Sequence, residues 1–314
     1  MYSRFFALFA FILVGYYCYR RGWLNREVNK SVGAIVMQVT IPAMLITTIS
    51  SIDMTGAVLR GFFLSVLAQT VAMIAFGFLM RLYGKFRKLD SRLLDMLDIT
   101  TGSQNNGFIG LPIVQIFYGS GGIMYVSAGV LGLNLYLWSY GVFILSGRKG
   151  NNLADMGKTF LKGAINPNCI AIFIGLALAL THTYTALPEA LVEFLQKLGD
   201  LSTPLSLIYI GALAGSSGIA HLLREKVALE MSAVKMIAMP ALAILAMCFV
   251  PASGIAKSVF LMISALPAAV VVPMMVERFG YGEKMSSNIV LLTTLISIVE
   301  IPFCVWLGSI LYGV

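Results

Sequence analysis

The stretch GSQNNGFIGLP, residues 102–112, decides the fold of this chain because it is the segment least suited to a continuous helix. It holds three side-chain amides, three glycines and a proline, and apolar runs flank it on both sides. Proline removes a backbone donor and clashes with the preceding turn, while glycine adds backbone freedom. We therefore expect a helix to break near residues 105–112.

Around this stretch the composition is that of an α-helical membrane protein. Of the 314 residues, 59% are hydrophobic and 11% are charged, whereas soluble domains carry about 25% charged residues. Spans of about 20 residues with short connections allow about ten helices. No room is left for a soluble catalytic domain and no catalytic or dinucleotide motif occurs, so an enzyme is not expected.

The few reactive or charged residues do not indicate a cofactor or a metal site. Four cysteines are scattered through apolar segments without a CxxC spacing, so packing roles are expected for them. The net charge of +8 could suggest a nucleic-acid partner. Basic residues in cytoplasmic loops explain that charge better, and no nucleic acid is expected.

The distribution of basic residues predicts the topology. Most of the 22 Lys and Arg residues fall in every second connection between apolar runs, beginning with the first connection. By the positive-inside rule, those connections are cytoplasmic and both termini are extracellular in a multi-pass protein of the cell membrane. The runs lie at about 4–18, 31–50, 58–80, 93–117, 122–146, 164–181, 200–218, 228–250, 257–279 and 286–311.

Two sequence patterns recur at nearly the same offset and indicate an internal repeat. Pro112 and Gly119 match Pro273 and Gly280 at an offset of 161, each pair with a serine nine residues before the proline. Because each half contains five helices, an odd number, the second half must enter the membrane in the opposite orientation. The same relation links TIPAMLI around Pro42 with STPLSLI around Pro204, at an offset of 162.

The predicted fold is therefore an all-α membrane protein of ten transmembrane helices, built as two inverted five-helix repeats. The first repeat covers residues 1–150 and the second covers 164–314, with a cytoplasmic linker at 151–163. Helices 4 and 9 are expected to be broken and to meet near the midplane of the bilayer, where exposed backbone is tolerated only against protein or water.

A pair of broken helices at matching positions suits an anion. Half-helix N-termini carry partial positive charge and free N–H groups, and neutral amides add donors without the desolvation cost of a charge. The alternative is a pair of kinks filled by hydrogen bonds between helices. The candidate substrate-binding residues are Gln104, Asn105, Asn106, Gly107, Gly110 and Pro112 in the first half, and Ser264, Pro267, Ala269 and Val270 in the second.

Three charged residues within apolar runs are candidates for proton or ion coupling. Asp98 lies two helical turns before Asn105, on the same helix face. It either gates the site or carries a proton, or it is a cytoplasmic helix-start carboxylate near Arg92. Glu300 is expected at hydrocarbon depth, where a carboxylate is costly and indicates function or a structural ion pair. Lys235 is a partner for Glu300, or alternatively for Glu230. Gln69, Asn134 and Tyr136 either line the cavity or join helices.

Residues 105–112, NNGFIGLP, resemble the N-x-G-F-x-G-x-P motif of the auxin efflux carrier family. The stretch ALPAA at 265–269, followed by Arg278-Phe279-Gly280, is similar to the second crossover of that family. The resemblance implies a fold related to bile acid:sodium symporters, with helices 1, 2, 6 and 7 as scaffold and helices 3–5 and 8–10 as a transport unit. It also implies elevator movement and homodimers. The chain departs from many relatives in having valine at 270–272 instead of Asn or Ser.

These observations together predict a secondary transporter of a small organic carboxylate, malate-like or malonate-like, that works by elevator-type alternating access. Its expected partners are the organic acid, the lipid bilayer, a coupled proton or sodium ion, and a second copy of the chain. One alternative is a sodium-coupled organic-anion symporter of the bile-acid-carrier type. Another is an intramembrane sensor that transports nothing.

Overall fold

The chain is all-helical over the residues that the computed structural model describes, which are 2–146, 166–216, 224–250, 252–281 and 284–313. Within these ranges, six helical segments are long and apolar enough to cross a membrane, and two shorter apolar helices accompany them. The chain is therefore a multi-pass membrane protein, as its composition predicts. The linker predicted at residues 151–163 lies outside the described residues.

In the first half of the chain, short π-helical turns interrupt the α-helices. Seven α-helices occur in this half of the chain, and the sixth contains a sharp turn at Gly119, where φ is 61°. The bounds are α1 Tyr2–Arg20, α2 Arg26–Ile35, α3 Ile41–Ser50, α4 Gly56–Phe86, α5 Ser91–Gly102, α6 Leu111–Leu135 and α7 Val142–Leu145, with π-helical turns at Val36–Thr40, Asn106–Gly110 and Tyr136–Gly141.

The described elements of the second half are seven further α-helices and one short 3-10 turn. Two of these helices carry an internal proline, Pro240 and Pro302. The bounds are α8 Pro167–Thr181, a 3-10 turn at Tyr184–Ala186, α9 Glu189–Asp200, α10 Ser202–Ser216, α11 Lys226–Phe249, α12 Gly254–Ser264, α13 Val272–Arg278 and α14 Lys284–Tyr312.

The helices group into two compact units, each made of three separate stretches of chain. The described residues of Met1–Ser65, Gly107–Val130 and Ile165–Ser217 form the first unit. Those of Val66–Asn106, Leu131–Ala164 and Gly218–Val314 form the second unit.

Small residues bring helices of the first unit into backbone contact. A Cβ atom on Gly15 of α1 would overlap the carbonyl oxygen of Ile208 in α10, and one on Gly211 would overlap that of Ile12. In the same unit, a Cβ on Gly175 of α8 would lie 2.9 Å from the Cβ of Ile49 in α3. Close helix pairs of this kind are typical of membrane proteins, where dispersion contacts replace the hydrophobic effect between helices.

Two kinked helices of the first unit share one design. Each joins an amphipathic half, α2 or α9, to an apolar half, α3 or α10, with Pro42 or Pro204 in the first turn of the apolar half. The predicted starts near 31 and 200 are wrong, because the helices begin at Arg26 and Glu189. Charged residues in the amphipathic halves lower the local hydrophobicity, so a search for apolar runs misses these turns.

The second unit has its own apolar core. Side chains from α4, α5, α11, α13 and α14 are buried together there, and none of the examples is more than 4% exposed. Examples are Met73, Leu97, Met231, Val276 and Ile289.

Candidate functional site

The first break in the second unit comprises residues 103–105, between α5 and the π-helical turn Asn106–Gly110. Ser103 has an extended backbone with φ −71° and ψ 151°, so α5 ends at Gly102. The break therefore lies slightly earlier than the predicted 105–112. Gly107, Gly110 and Pro112 instead form the π-helical turn and the first turn of α6 in the first unit. Proline is tolerated in a first turn, so Pro112 marks where the next helix begins.

The second break comprises residues 265–271, between α12 and α13 of the second unit. It contains Pro267, and Pro273 occupies the first turn of α13. The two prolines therefore interrupt this segment as the sequence predicts. Ser264, the last residue of α12, donates its hydroxyl hydrogen to the carbonyl oxygen of Leu261 at 2.6 Å.

The two breaks are joined by reciprocal hydrogen bonds. The N–H of Asn105 donates to the carbonyl oxygen of Pro267 at 2.9 Å. The N–H of Ala269 donates to the hydroxyl oxygen of Ser103 at 3.1 Å. Each break thus satisfies backbone groups freed by the other, which buried backbone requires. The backbone N–H of Asn105 is therefore engaged by the second break.

The side-chain amides at the first break are deeply buried. Gln104 is 4% exposed, Asn105 is 3% exposed and Asn106 is fully buried. The Nε2 of Gln104 donates to the sulfur of Met239 at 3.6 Å, a weak contact, and its Oε1 has no hydrogen-bond partner within the described chain. A buried amide oxygen in this condition is unusual, because such a group normally keeps a partner.

The second break offers mainly backbone, as the valines at 270–272 predict. The N–H of Ala268 donates to the hydroxyl oxygen of Thr293 in α14 at 3.1 Å. Ala269 is buried, and Val270 is partly buried against the core of the second unit. Polar side chains at the joined breaks therefore come from residues 103–106 and from neighbouring helices.

Lys235 reaches the first break from α11 and is fully buried. Its Nζ donates to the carbonyl oxygens of Thr101 at 2.8 Å and Ser103 at 3.0 Å, and contacts the sulfur of Met239 at 3.5 Å. It also lies 5.7 Å from the centre of the Phe76 ring. Among the described residues, no ion pair joins Lys235 to Glu300 of α14, so the pairing expected from the sequence stays a prediction.

Glu230 does not serve Lys235, so that alternative is wrong. Its carboxylate accepts hydrogen bonds from Arg87 Nε at 2.8 Å, Arg87 Nη2 at 3.0 Å and the Tyr83 hydroxyl at 2.7 Å. These bonds raise the pKa of Arg87 above its ordinary value. The carboxylate therefore ties the end of α4 to the first turns of α11.

Asp98 is a fully buried carboxylate in α5 and not an exposed helix-start residue. Its Oδ2 lies 3.7 Å from Arg81 and accepts a hydrogen bond from the Tyr140 hydroxyl at 2.9 Å. Arg81 also forms an ion pair with Asp95. Arg92 instead donates to the carbonyl oxygen of Gly280 at 2.8 Å, so the predicted link between Asp98 and Arg92 is wrong.

Two glycines allow α4 to lie against α5 just before the first break. A Cβ on Gly77 would lie 2.5 Å from Oδ1 of Asp98 and 2.6 Å from its carbonyl oxygen. A Cβ on Gly102 would lie 2.6 Å from the carbonyl oxygen of Met73. Tyr136 donates its hydroxyl hydrogen to the Asp98 carbonyl oxygen at 3.0 Å, which agrees with the helix-joining alternative for this residue.

The first unit contains a separate cavity that sequence reasoning missed. Its volume is about 600 Å³, and hydroxyl and amide side chains dominate its polar lining. No sequence motif predicts this cavity, because its residues come from four separate stretches of chain. They are Met44, Thr47, Thr48, Ser51, Gln115, Ile116, Ser120, Tyr184, Gln196, Gly199, Asp200 and Thr203.

Two broken apolar helices, one of them with a buried lysine at its carbonyl end, fit a transporter. Sequence comparison identifies the family. A family model described as "Membrane transport protein" matches residues 1–305. The chain belongs to this family. It is the auxin efflux carrier family that residues 105–112 resemble. The protein is therefore a membrane transporter.

Two archaeal relatives are similar to this transporter along nearly its whole length. An uncharacterized transporter of Methanothermobacter thermautotrophicus is 22% identical over 296 residues, covering 93% of each chain. An uncharacterized transporter of Methanocaldococcus jannaschii is 24% identical over 303 residues, covering 94% of this chain and 95% of the relative. Neither relative's name gives a substrate.

Proposed function

We propose that the protein is a secondary transporter of a small organic carboxylate, malate-like or malonate-like, and that the joined breaks of the second unit hold the substrate. The observation that carries this proposal is the reciprocal bonding of two interrupted helices, Asn105 to Pro267 and Ala269 to Ser103, beside buried neutral amides. Buried neutral donors at helix interruptions can bind a carboxylate while costing little desolvation when the site is empty.

The position of each interruption supports two inverted five-helix repeats in the proposed ten-helix fold. The helices before the breaks end at Gly102 and Ser264, 162 residues apart, and Pro112 and Pro273 in the first turns of α6 and α13 are 161 residues apart. The kinks before α3 and α10 carry Pro42 and Pro204, again 162 residues apart. Matched interruptions in two halves of a chain are typical of secondary transporters.

The grouping of helices supports an elevator mechanism with a scaffold and a moving part. Helices α1–α3 and α8–α10, which correspond to predicted helices 1, 2, 6 and 7, fall in the first unit. Residues 107–130 also fall there, although the sequence-based division assigns helices 3–5 to the moving part. The homodimer and the extracellular termini are parts of the same proposal.

The coupling ion is proposed to be a proton carried by Asp98 or by Glu300 with Lys235. Asp98 is buried beside Arg81 and Tyr140, and Glu300 carries a buried oxygen, Oε2, without a hydrogen-bond partner among the described residues. Burial favours the protonated form of a carboxylate unless a nearby cation stabilises the charged form. Gly107, Gly110 and Pro112 stay in the proposal as residues that follow the amides in the chain.

A transport assay in proteoliposomes tests the proposed function. Purified protein is reconstituted and given labelled malonate, malate, acetate and benzoate, with and without a sodium gradient and a pH gradient. We expect uptake of at least one acid that responds to the pH gradient, and a raised melting temperature with that acid. Response to sodium alone would favour the symporter of bile-acid-carrier type. The proposal would be overturned if none of the acids gave either uptake or a thermal shift.

A further inference from the structure

The surroundings of Lys235 provide acceptors that can hold a charged ammonium group. An ammonium has three donors, and three acceptors surround this nitrogen: the carbonyl oxygens of Thr101 and Ser103 and the sulfur of Met239. The Phe76 ring lies 5.7 Å away, within the range in which a cation is attracted to an aromatic ring. The positive charge is therefore held in place at the end of α5.

The location of this charge matters because the two helix ends at a break carry partial charges of opposite sign, which offset each other. The carbonyl end of the first half carries partial negative charge, and the amide end of the second half carries partial positive charge. Thr101 and Ser103 supply carbonyl oxygens at the negative end of α5. By donating to both, Lys235 neutralises that end and leaves an excess of positive potential at the first break.

At the second break, the side chains that hydrogen-bond to the backbone at the helix ends are neutral. Ser264 donates to the carbonyl oxygen of Leu261, and Thr293 accepts from the N–H of Ala268. The charge at the joined breaks is thus concentrated on one side, at the carbonyl end of α5.

We propose that Lys235 is the specificity-determining residue that makes the joined breaks select negatively charged solutes over neutral ones. It acts as a positioning residue, since it holds the carbonyls of Thr101 and Ser103 and sets the local potential without touching the solute. The proposal rests on the proposed binding site at the two breaks, and it deepens that function by assigning the charge class of the substrate to a single side chain.

The test measures the potential at the first break with charged thiol reagents, so that no substrate has to be known. The four native cysteines are replaced by alanine, and Asn105→Cys is introduced. Rates of modification are measured for an anionic sulfonatoethyl and a cationic trimethylammonioethyl methanethiosulfonate. The ratio of anionic to cationic rate is compared between Lys235, Lys235→Met and Lys235→Arg backgrounds.

We expect Lys235→Met to lower this ratio by about tenfold or more, because a unit charge acts strongly at short range in a poorly solvated site. Lys235→Arg should retain most of the ratio. At Gln115→Cys, which lines the cavity of the first unit, the ratio should not change.

Two results would overturn the proposal. One is an unchanged ratio, whether or not both rates change together, and the other is no modification by either reagent, since a site closed to both has no solute to select. Failure of the transport proposal is distinguishable. If no acid is moved but the ratio falls in Lys235→Met, the charge assignment stands and the choice of substrate is wrong.

Discussion

At the scale of single residues, Asn105 is the side chain on which the proposed substrate contact depends. Replacing it with alanine removes a neutral donor while leaving its backbone bond to Pro267 in place. A hydrogen bond to a charged group contributes about 1.5–3 kcal/mol, so Asn105→Ala should weaken binding roughly tenfold to hundredfold. The dissociation constant measured by thermal shift or calorimetry checks this, and the melting temperature of the free protein should stay close to that of the parent.

Gln115→Ala is a matched control for Asn105→Ala. Gln115 is an exposed amide in the cavity of the first unit and is not part of either break. Its replacement should leave the dissociation constant unchanged. If Asn105→Ala also binds and transports like the parent, the joined breaks are a structural kink and the substrate binds elsewhere.

Glu300 allows a test of proton coupling. If this carboxylate carries the coupled proton, Glu300→Gln should transport at a rate that no longer varies with pH, while substrate binding survives. Glu230→Gln is the control, because Glu230 is bonded to Arg87 and Tyr83 and should affect stability without altering the pH profile. A normal pH profile in Glu300→Gln would assign Glu300 a structural role beside Lys235.

At the scale of elements, Gly77 shows how closely α4 must approach α5. A methyl group at this position would lie 2.5 Å from Asp98 Oδ1 and 2.6 Å from its carbonyl oxygen, and the backbone atom cannot move away easily. Overpacking of this kind costs about 1–3 kcal/mol. We expect Gly77→Ala to lower the melting temperature of the detergent-purified protein.

Gly61→Ala is the control for Gly77→Ala, because Gly61 lies on the same helix and a Cβ there would meet nothing within 4 Å. Alanine is the better helix former by up to about 1 kcal/mol, so Gly61→Ala should be neutral or slightly stabilising. Equal melting temperatures for the two variants would show that α4 and α5 do not need this close approach.

The sequence predicted the broken elements because proline and glycine act locally. It placed the first break a few residues late, since Pro112 belongs to the first turn of α6 and the helix before it ends at Gly102. Helices α2 and α9 were missed in part for the opposite reason. Their charged residues, such as Glu27 and Glu193, are spaced on one face of an amphipathic helix and lower the mean hydropathy of the segment.

At the scale of the whole molecule, composition was sufficient to predict an all-helical membrane protein, because hydrophobicity is summed along the chain. The partners of charged residues were not predictable, because they depend on tertiary contacts. The sequence offered Arg92 for Asp98, whereas the structure pairs Asp98 with Arg81 and Tyr140. Likewise, no local signal indicates that Lys235 donates to the carbonyls of Thr101 and Ser103.

The orientation of the molecule in the membrane is the last prediction, and it rests on the basic connections. Lys88 lies in the connection between α4 and α5, which the positive-inside rule places in the cytoplasm, whereas Thr183 lies between α8 and α9 on the predicted extracellular side. Both side chains are exposed. In a cysteine-free background, an impermeant thiol reagent should label Thr183→Cys in intact cells and label Lys88→Cys only after permeabilisation. Labelling of Lys88→Cys alone in intact cells would reverse the topology and place both termini in the cytoplasm.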